Sequence, residues 1–283
     1  MEINLAISAG FCFGVRRAIN IALKTAKTNK PVFMLGDIVH NEEVVKQIQK
    51  SGIKKIYRFS CGDGKILLIR AHGCSKNTLQ KAKKLGYTIT DATCPMVKEI
   101  HAIARELENN GFKIIVIGDK SHDEVKGITG QLRTKAIVID KLENIPLKKI
   151  KSIRQAGIVV QSTQNLDKAQ EILDILRNNI QKVKFHNTIC KPTRMKQNEI
   201  KIMPLENDVM VIIGSKTSAN TKRIYEISKS LNRRSYWINS SNEISKNWLD
   251  KAKSVGITAG ASTPESTIQA VTQKIKDLAS RKQ

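Results

Sequence analysis

Three of the five cysteines in this 283-residue chain, Cys12, Cys94 and Cys190, stand in the same local setting. Each follows a short aliphatic run and directly precedes a segment with helical amphipathic spacing. They are separated by 82 and 96 residues, each about the length of one small α/β domain. In open α/β sheets, ligands bind outside the carboxyl ends of the strands. Three such domains facing one another would bring three thiols to one point and leave a fourth coordination position open. That donor set suits a metal or an iron–sulfur cluster. Three ordinary buried cysteines, acting as small hydrophobes, are the alternative. Cys61, in the polar turn Ser60-Cys61-Gly62-Asp63-Gly64, and Cys74, beside Ser75 at a helix start, read as structural. An odd, scattered set without a C-x-x-C pair argues against a secreted disulfide framework, a zinc ribbon and a thioredoxin-type site.

The same loops carry a second set of polar groups. His40, His72 and His122 each follow an apolar run and precede a helical segment. Ser162, Thr163, Ser215, Ser218, Asn220, Ser262 and Thr263 occupy matching loops further on. Helix N-termini expose unpaired N–H groups and bind phosphates well. Imidazoles, hydroxyls and an amide added there make a pocket for a small anion. Taken singly, each Ser, Thr or Asn is equally an ordinary helix N-cap. His101 and His186 fall inside a helix and a strand and read as structural. In His122-Asp123-Glu124 a carboxyl lies beside an imidazole at a helix mouth. It could act as an acid, but spacing alone favours a capping role for Glu124.

The elements that must position these groups repeat along the whole chain. Nine units read as aliphatic run, small-residue loop and amphipathic helix, from Ile3 to the helix ending near Ser280. This predicts an α/β protein with mostly parallel sheets. The nine units divide into three groups of three, each opening with its cysteine: 1–93, 94–188 and 189–283. Short strands at Ala136–Ile139 and Ser235–Ile238 extend two sheets, and Asp140–Ile153, with Pro146 and four lysines, reads as an exposed connection. Aromatics are only 4%, so the core is aliphatic. No apolar run approaches the ~18 residues of a membrane span, and the N-terminus lacks a signal-peptide pattern, so a cytoplasmic protein is expected. Lys and Arg number 49 against 25 acidic residues, a net charge of +24. Their even dispersal and the scarcity of aromatics argue against a nucleic-acid binder.

Taken together, these segments resemble the 4-hydroxy-3-methylbut-2-enyl diphosphate reductase family. The matching strings are Ala9-Gly10-Phe11-Cys12-Phe13-Gly14-Val15-Arg16-Arg17-Ala18, Ile38-Val39-His40-Asn41, Arg70-Ala71-His72-Gly73 and Asp91-Ala92-Thr93-Cys94-Pro95. They continue with Ser121-His122-Asp123-Glu124-Val125, Gln161-Ser162-Thr163, Thr188-Ile189-Cys190, Gly214-Ser215-Lys216 through Asn220, and Thr258-Ala259-Gly260-Ala261-Ser262. The resemblance runs from Ala9 to about Gln269.

It implies three small α/β domains in a pseudo-threefold trefoil around one [4Fe–4S] cluster per chain, held by Cys12, Cys94 and Cys190. It implies a pocket of His40, His72, His122, Ser162, Thr163, Ser218, Ala219, Asn220 and Ser262 for a small diphosphate. Glu124 would be the acid, with His122 and Thr163 placing it, and the reaction a two-electron removal of an allylic hydroxyl. With no G-x-G-x-x-G fingerprint for a bound nicotinamide, electrons would come from a ferredoxin- or flavodoxin-type carrier. The chain departs from the family pattern at Ala219, where a serine is usual, at Ser162, at Lys191-Pro192, and at Lys196, where an arginine is expected. Lysine keeps the charge there without the planar fork. An iron–sulfur protein without catalysis is disfavoured by the intact Glu124 and the three loop histidines.

Overall fold

A computed structural model describes residues 1–280. Twelve strands and eleven α-helices occur among the described residues. In chain order the strands are β1 (Glu2–Leu5), β2 (Val32–Leu35), β3 (Lys54–Ile56), β4 (Ile66–Ile69), β5 (Thr88–Asp91) and β6 (Lys113–Ile117). They continue with β7 (Ile137–Ile139), β8 (Gln155–Val160), β9 (Lys182–His186), β10 (Val209–Ile213), β11 (Ser235–Ile238) and β12 (Ser254–Ala259). The helices are α1 (Phe13–Ala26), α2 (Glu42–Lys50), α3 (Lys76–Lys84), α4 (Pro95–Asn109), α5 (Asp123–Thr129) and α6 (Leu147–Lys151). After them come α7 (Leu166–Asn179), α8 (Lys191–Ile200), α9 (Met203–Glu206), α10 (Ala219–Leu231) and α11 (Glu265–Ser280).

The strands form three four-stranded sheets, ordered β3-β2-β4-β5, β7-β6-β8-β9 and β11-β10-β12-β1, with every neighbouring pair parallel. The α/β class with parallel sheets is therefore as expected. All three sheets share one order: second strand, first, third, fourth. In the third the fourth place is taken by β1, paired Glu2 with Ser254 through Leu5 with Ile257. The grouping by sequence placed this strand in 1–93, at the opening of a domain. In the sheets each cysteine instead follows the fourth strand and closes its set. The bound at 283 lies outside the described residues.

By contact the chain divides into two compact units, Met1–Arg16 with His40–Val44 and Lys191–Gln283, and Arg17–Val39 with Val45–Cys190. In the first, alternate residues of β10 serve opposite faces, as strand geometry requires. Val209, Val211 and Ile213 join α11 in one cluster, and Met210 and Ile212 join α10 in another. The second unit repeats this at β6, with Ile115 and Ile117 packed against α7, and Ile114 and Val116 against α4. Covering both faces explains why these strands read as unbroken aliphatic runs.

Three short elements escape the sequence pattern. The edge strand β3 reads Lys-Lys-Ile, because an edge needs no continuous apolar run. The helix α6 lies inside the expected connection and buries Ile150, and α9 is a single turn. Among the described residues, no helix is long and apolar enough to cross a membrane.

Candidate active site

The three equivalent cysteines share one backbone lock. The N–H of Cys94 donates to the Ala71 carbonyl at 2.9 Å, that of Cys190 to Ser162 at 3.1 Å, and that of Cys12 to Ala261 at 3.0 Å. Each acceptor lies two residues beyond β4, β8 or β12, the strand paired with the cysteine's own. Each thiol stands immediately before a helix: α1, α4 or α8. None of the five cysteines forms a disulfide. Three thiols held alike at helix starts fit an iron–sulfur cluster. Cys61 is exposed in its turn, and burial pushes the Cys74 thiol up to about 11, so it stays protonated.

The loop before Cys12 is clamped from α8. Glu199 accepts from the N–H groups of Ile7 (2.6 Å) and Ser8 (3.1 Å) and from the Ser8 hydroxyl. Lys196, 3% exposed, donates to the carbonyls of Ser8 and of Ala259, the latter at 3.0 Å. Burial lowers its pKa to about 8, against the opposing pull of Cys12 and Glu199. The lysine thus holds most of its charge at neutral pH but sheds it in mildly alkaline solution, unlike an arginine. Gly10, at φ +90°, sits in this loop where a Cβ would press on Ile268 at 3.1 Å.

In the second unit the proton-bearing groups interlock. Glu124, the second residue of α5, is 1% exposed. Its two oxygens accept from the N–H of Ser162 at 2.6 Å and from the Ser162 hydroxyl at 2.8 Å. Burial raises its pKa and outweighs these hydrogen bonds. The cap of α5 is His122, whose Nδ1 accepts from the Glu124 N–H at 3.1 Å. The capping role favoured by spacing therefore belongs to the imidazole, and the carboxyl is engaged by Ser162 rather than by its own helix. Since its Nδ1 accepts, neutral His122 carries its proton on Nε2. The His72 ring meets that of His122 edge-on at 5.5 Å.

Two buried groups steady this cluster. Beneath the His72 loop, a Cβ on Gly73 (φ +74°) would strike His101 at 2.9 Å, and one on Gly127 would lie 3.4 Å from the same ring. Burial brings the His101 pKa down to about 4, so the ring packs as a neutral group. Gln161 was not singled out from sequence. It accepts from the Asp119 N–H at 2.8 Å and donates to Thr163 Oγ1 at 3.1 Å, leaving the Thr163 hydrogen to donate onward. The available signal was an amide directly following the aliphatic run Ile158-Val159-Val160 that closes β8.

The first unit holds the remaining residues. Ser218 caps α10, its Oγ accepting from the Thr221 N–H at 3.2 Å, and Ala219 is the first helical residue. Asn220 is 3% exposed, and neither polar atom of its side chain has a partner. A buried unpaired amide is costly and points to a missing ligand. Ser262 is differently committed: its hydroxyl donates to the His40 carbonyl at 2.9 Å. Its hydrogen thus secures the His40 loop rather than standing ready for an anion. Ser162 likewise spends its N–H and hydroxyl on Glu124.

Residues 3–276 match the family described as LytB protein. The chain is 37% identical over 278 residues to 4-hydroxy-3-methylbut-2-enyl diphosphate reductase of Dictyoglomus turgidum, covering 98% of this chain and 97% of that protein. It is 38% identical over 282 residues to the enzyme of the same name from Aquifex aeolicus, with 98% and 97% covered. A solved structure of (E)-4-hydroxy-3-methyl-but-2-enyl diphosphate reductase, the terminal enzyme of the non-mevalonate pathway, aligns with TM-score 0.72 at 38% identity, covering 98% of this chain and all of that one. The E-1-hydroxy-2-methyl-but-2-enyl-4-diphosphate reductase of Plasmodium falciparum aligns with TM-score 0.88 at 28% identity, covering 96% and 87%.

Proposed function

The chain belongs to the LytB protein family, and from that membership we infer that it catalyses the reaction for which its relatives are named. That reaction reduces 4-hydroxy-3-methylbut-2-enyl diphosphate with two electrons and two protons. Water is lost, and isopentenyl or dimethylallyl diphosphate is formed, the last step of the non-mevalonate route to isoprenoids.

Cys12, Cys94 and Cys190 hold one [4Fe–4S] cluster per chain in this reading. Their common backbone lock supports the assignment. When bound, the cluster supplies electrons singly and offers a Lewis-acidic iron where no thiolate sits. The rest of the work falls to side chains. Asn220 and Ser218, at the start of α10, bind the diphosphate with the backbone N–H of Ala219 and the histidines His40 and His72. Ser262 acts through the His40 loop that it anchors. Thr163 donates to the substrate hydroxyl, oriented by Gln161. His122, with its proton on Nε2, donates in the same pocket.

Glu124 delivers the proton that lets hydroxide leave as water. The observation that carries this role is a carboxyl 1% exposed, raised in pKa by burial and locked by Ser162 in another loop. A carboxyl whose pKa is raised by burial holds its proton more readily, as a general acid must. Glu124→Gln keeps the shape and removes the acid. At equal iron content, its single-turnover rate is expected to fall by at least ~10²-fold, the lower end for a positioned acid. A rate within a few fold of the parent would remove Glu124 from the role. Electrons reach the site from a separate small carrier, of ferredoxin or flavodoxin type.

A further inference from the structure

The helix α8 that clamps the Cys12 loop exposes apolar surface beside it. Ile7, whose N–H donates to Glu199 at 2.6 Å, is 95% exposed. Met195 lies one turn before Glu199 on α8, and Ile202, in the turn just after the helix, donates its N–H to the Glu199 carbonyl at 3.1 Å. Their exposures are 48% and 56%. One turn on, the Leu205 N–H donates to the Ile202 carbonyl, and Leu205 is 68% exposed. These four exposed apolar residues are thus linked in turn to the Glu199 clamp and its following turn. An apolar patch on a folded surface marks an interaction site.

Its rim is basic. Lys191 and Arg194 are exposed on the same helix next to Met195. The carboxylate of Glu199 is occupied by two amides and a hydroxyl, and Glu206 borders only the far end. A second copy of a chain with net charge +24 would be repelled, whereas an acidic protein would be drawn in. A small apolar centre inside a charged rim suits the brief, small-area encounters typical of electron-transfer proteins. Ile7 also begins the loop that reaches Cys12 five residues later.

We propose that the patch of Ile7, Met195, Ile202 and Leu205 docks a small acidic one-electron carrier protein and is the entry point for electrons. The proposal rests on the reductase reading above. At each docking the reduced carrier loses one electron and the enzyme gains one. Two such events, with two protons, remove the substrate hydroxyl as water.

The test uses full-length holoenzyme and two electron sources, a reduced acidic ferredoxin and a reduced viologen dye too small to need docking. Met195→Ser combined with Ile202→Ser should raise the KM for ferredoxin about tenfold, the effect of losing roughly one anchoring contact. Dye-driven turnover and iron content should stay within about twofold of the parent. Arg194→Glu, a single exposed change, should raise the ferredoxin KM and reduce its dependence on salt. Unchanged ferredoxin KM in both variants overturns the proposal. So does an equal loss with both donors at parental iron content, or a parent dimer that the double variant dissociates. Failure of the reductase reading looks different: the parent itself would then show no substrate-dependent dye oxidation.

Discussion

In the unit formed by Arg17–Val39 and Val45–Cys190, Glu124, His122 and Thr163 are each held by a hydrogen bond from a neighbouring group of the site. Both Glu124 oxygens accept from Ser162, the His122 Nδ1 accepts from the Glu124 N–H, and Gln161 ties Asp119 to Thr163. In the other unit, Asn220 is buried at the start of α10 with both side-chain polar atoms unpartnered. The difference follows from what each must handle. A proton donor works from a fixed position at a tuned pKa, so its neighbours belong to the fold. An anion site is completed by its ligand, and until then it carries unpaired groups at the expense of stability.

The largest effect expected of this contrast is in the pH dependence of the interlocked unit. The folded-state pKa of His101 is lowered to about 4 from 6.5. Between those values the unfolded chain binds a proton that the folded chain refuses. Stability is therefore full above pH 6.5 and falls as the pH drops toward 4, by about 3 kcal/mol from this residue. Denaturant unfolding of parent and His101→Asn at several pH values should show a shallower acid slope in the variant. Parallel slopes would mean that the ring is not held neutral.

A smaller effect, of opposite sign for binding and stability, is expected at Asn220. Asn220→Ala should weaken substrate binding by roughly 10- to 100-fold, the loss of a hydrogen bond to a charged group, with turnover at saturation less affected. The unliganded protein should become no less stable, since two buried unpaired atoms are removed. A stability loss with unchanged KM would assign Asn220 to the fold and break the contrast. Ser262→Ala gives the smallest effect. It removes one hydrogen bond to the His40 carbonyl and should cost about 1 kcal/mol, read by thermal melting. A large loss of substrate affinity without a stability change would return Ser262 to direct ligand contact.

Much of this was legible in the chain because strand, loop and helix periodicity places residues on one sheet edge without knowledge of pairing. Cys94, His72 and Glu124 all fall at strand ends by that logic. What was not legible depends on contacts between distant segments. β1 pairs with β12 across some 250 residues, so its membership of the third sheet has no local signal. The carboxyl of Glu124 finds Ser162 38 residues away, which is why spacing pointed to a cap instead. The Ser262 hydroxyl and the His40 carbonyl it satisfies are 222 residues apart. A hydroxyl at a helix start cannot announce whether its hydrogen is spent.

The proposal at the centre of this account is that Cys12, Cys94 and Cys190, but not Cys61, hold one iron–sulfur cluster. The direct measurement is iron and acid-labile sulfide per chain in anaerobically prepared protein, for the parent and for Cys→Ser changes at positions 12, 61, 94 and 190. The account predicts that Cys12→Ser, Cys94→Ser and Cys190→Ser each lose most of both elements, while Cys61→Ser matches the parent. Full iron and sulfide in Cys12→Ser, or a depleted Cys61→Ser, would contradict it.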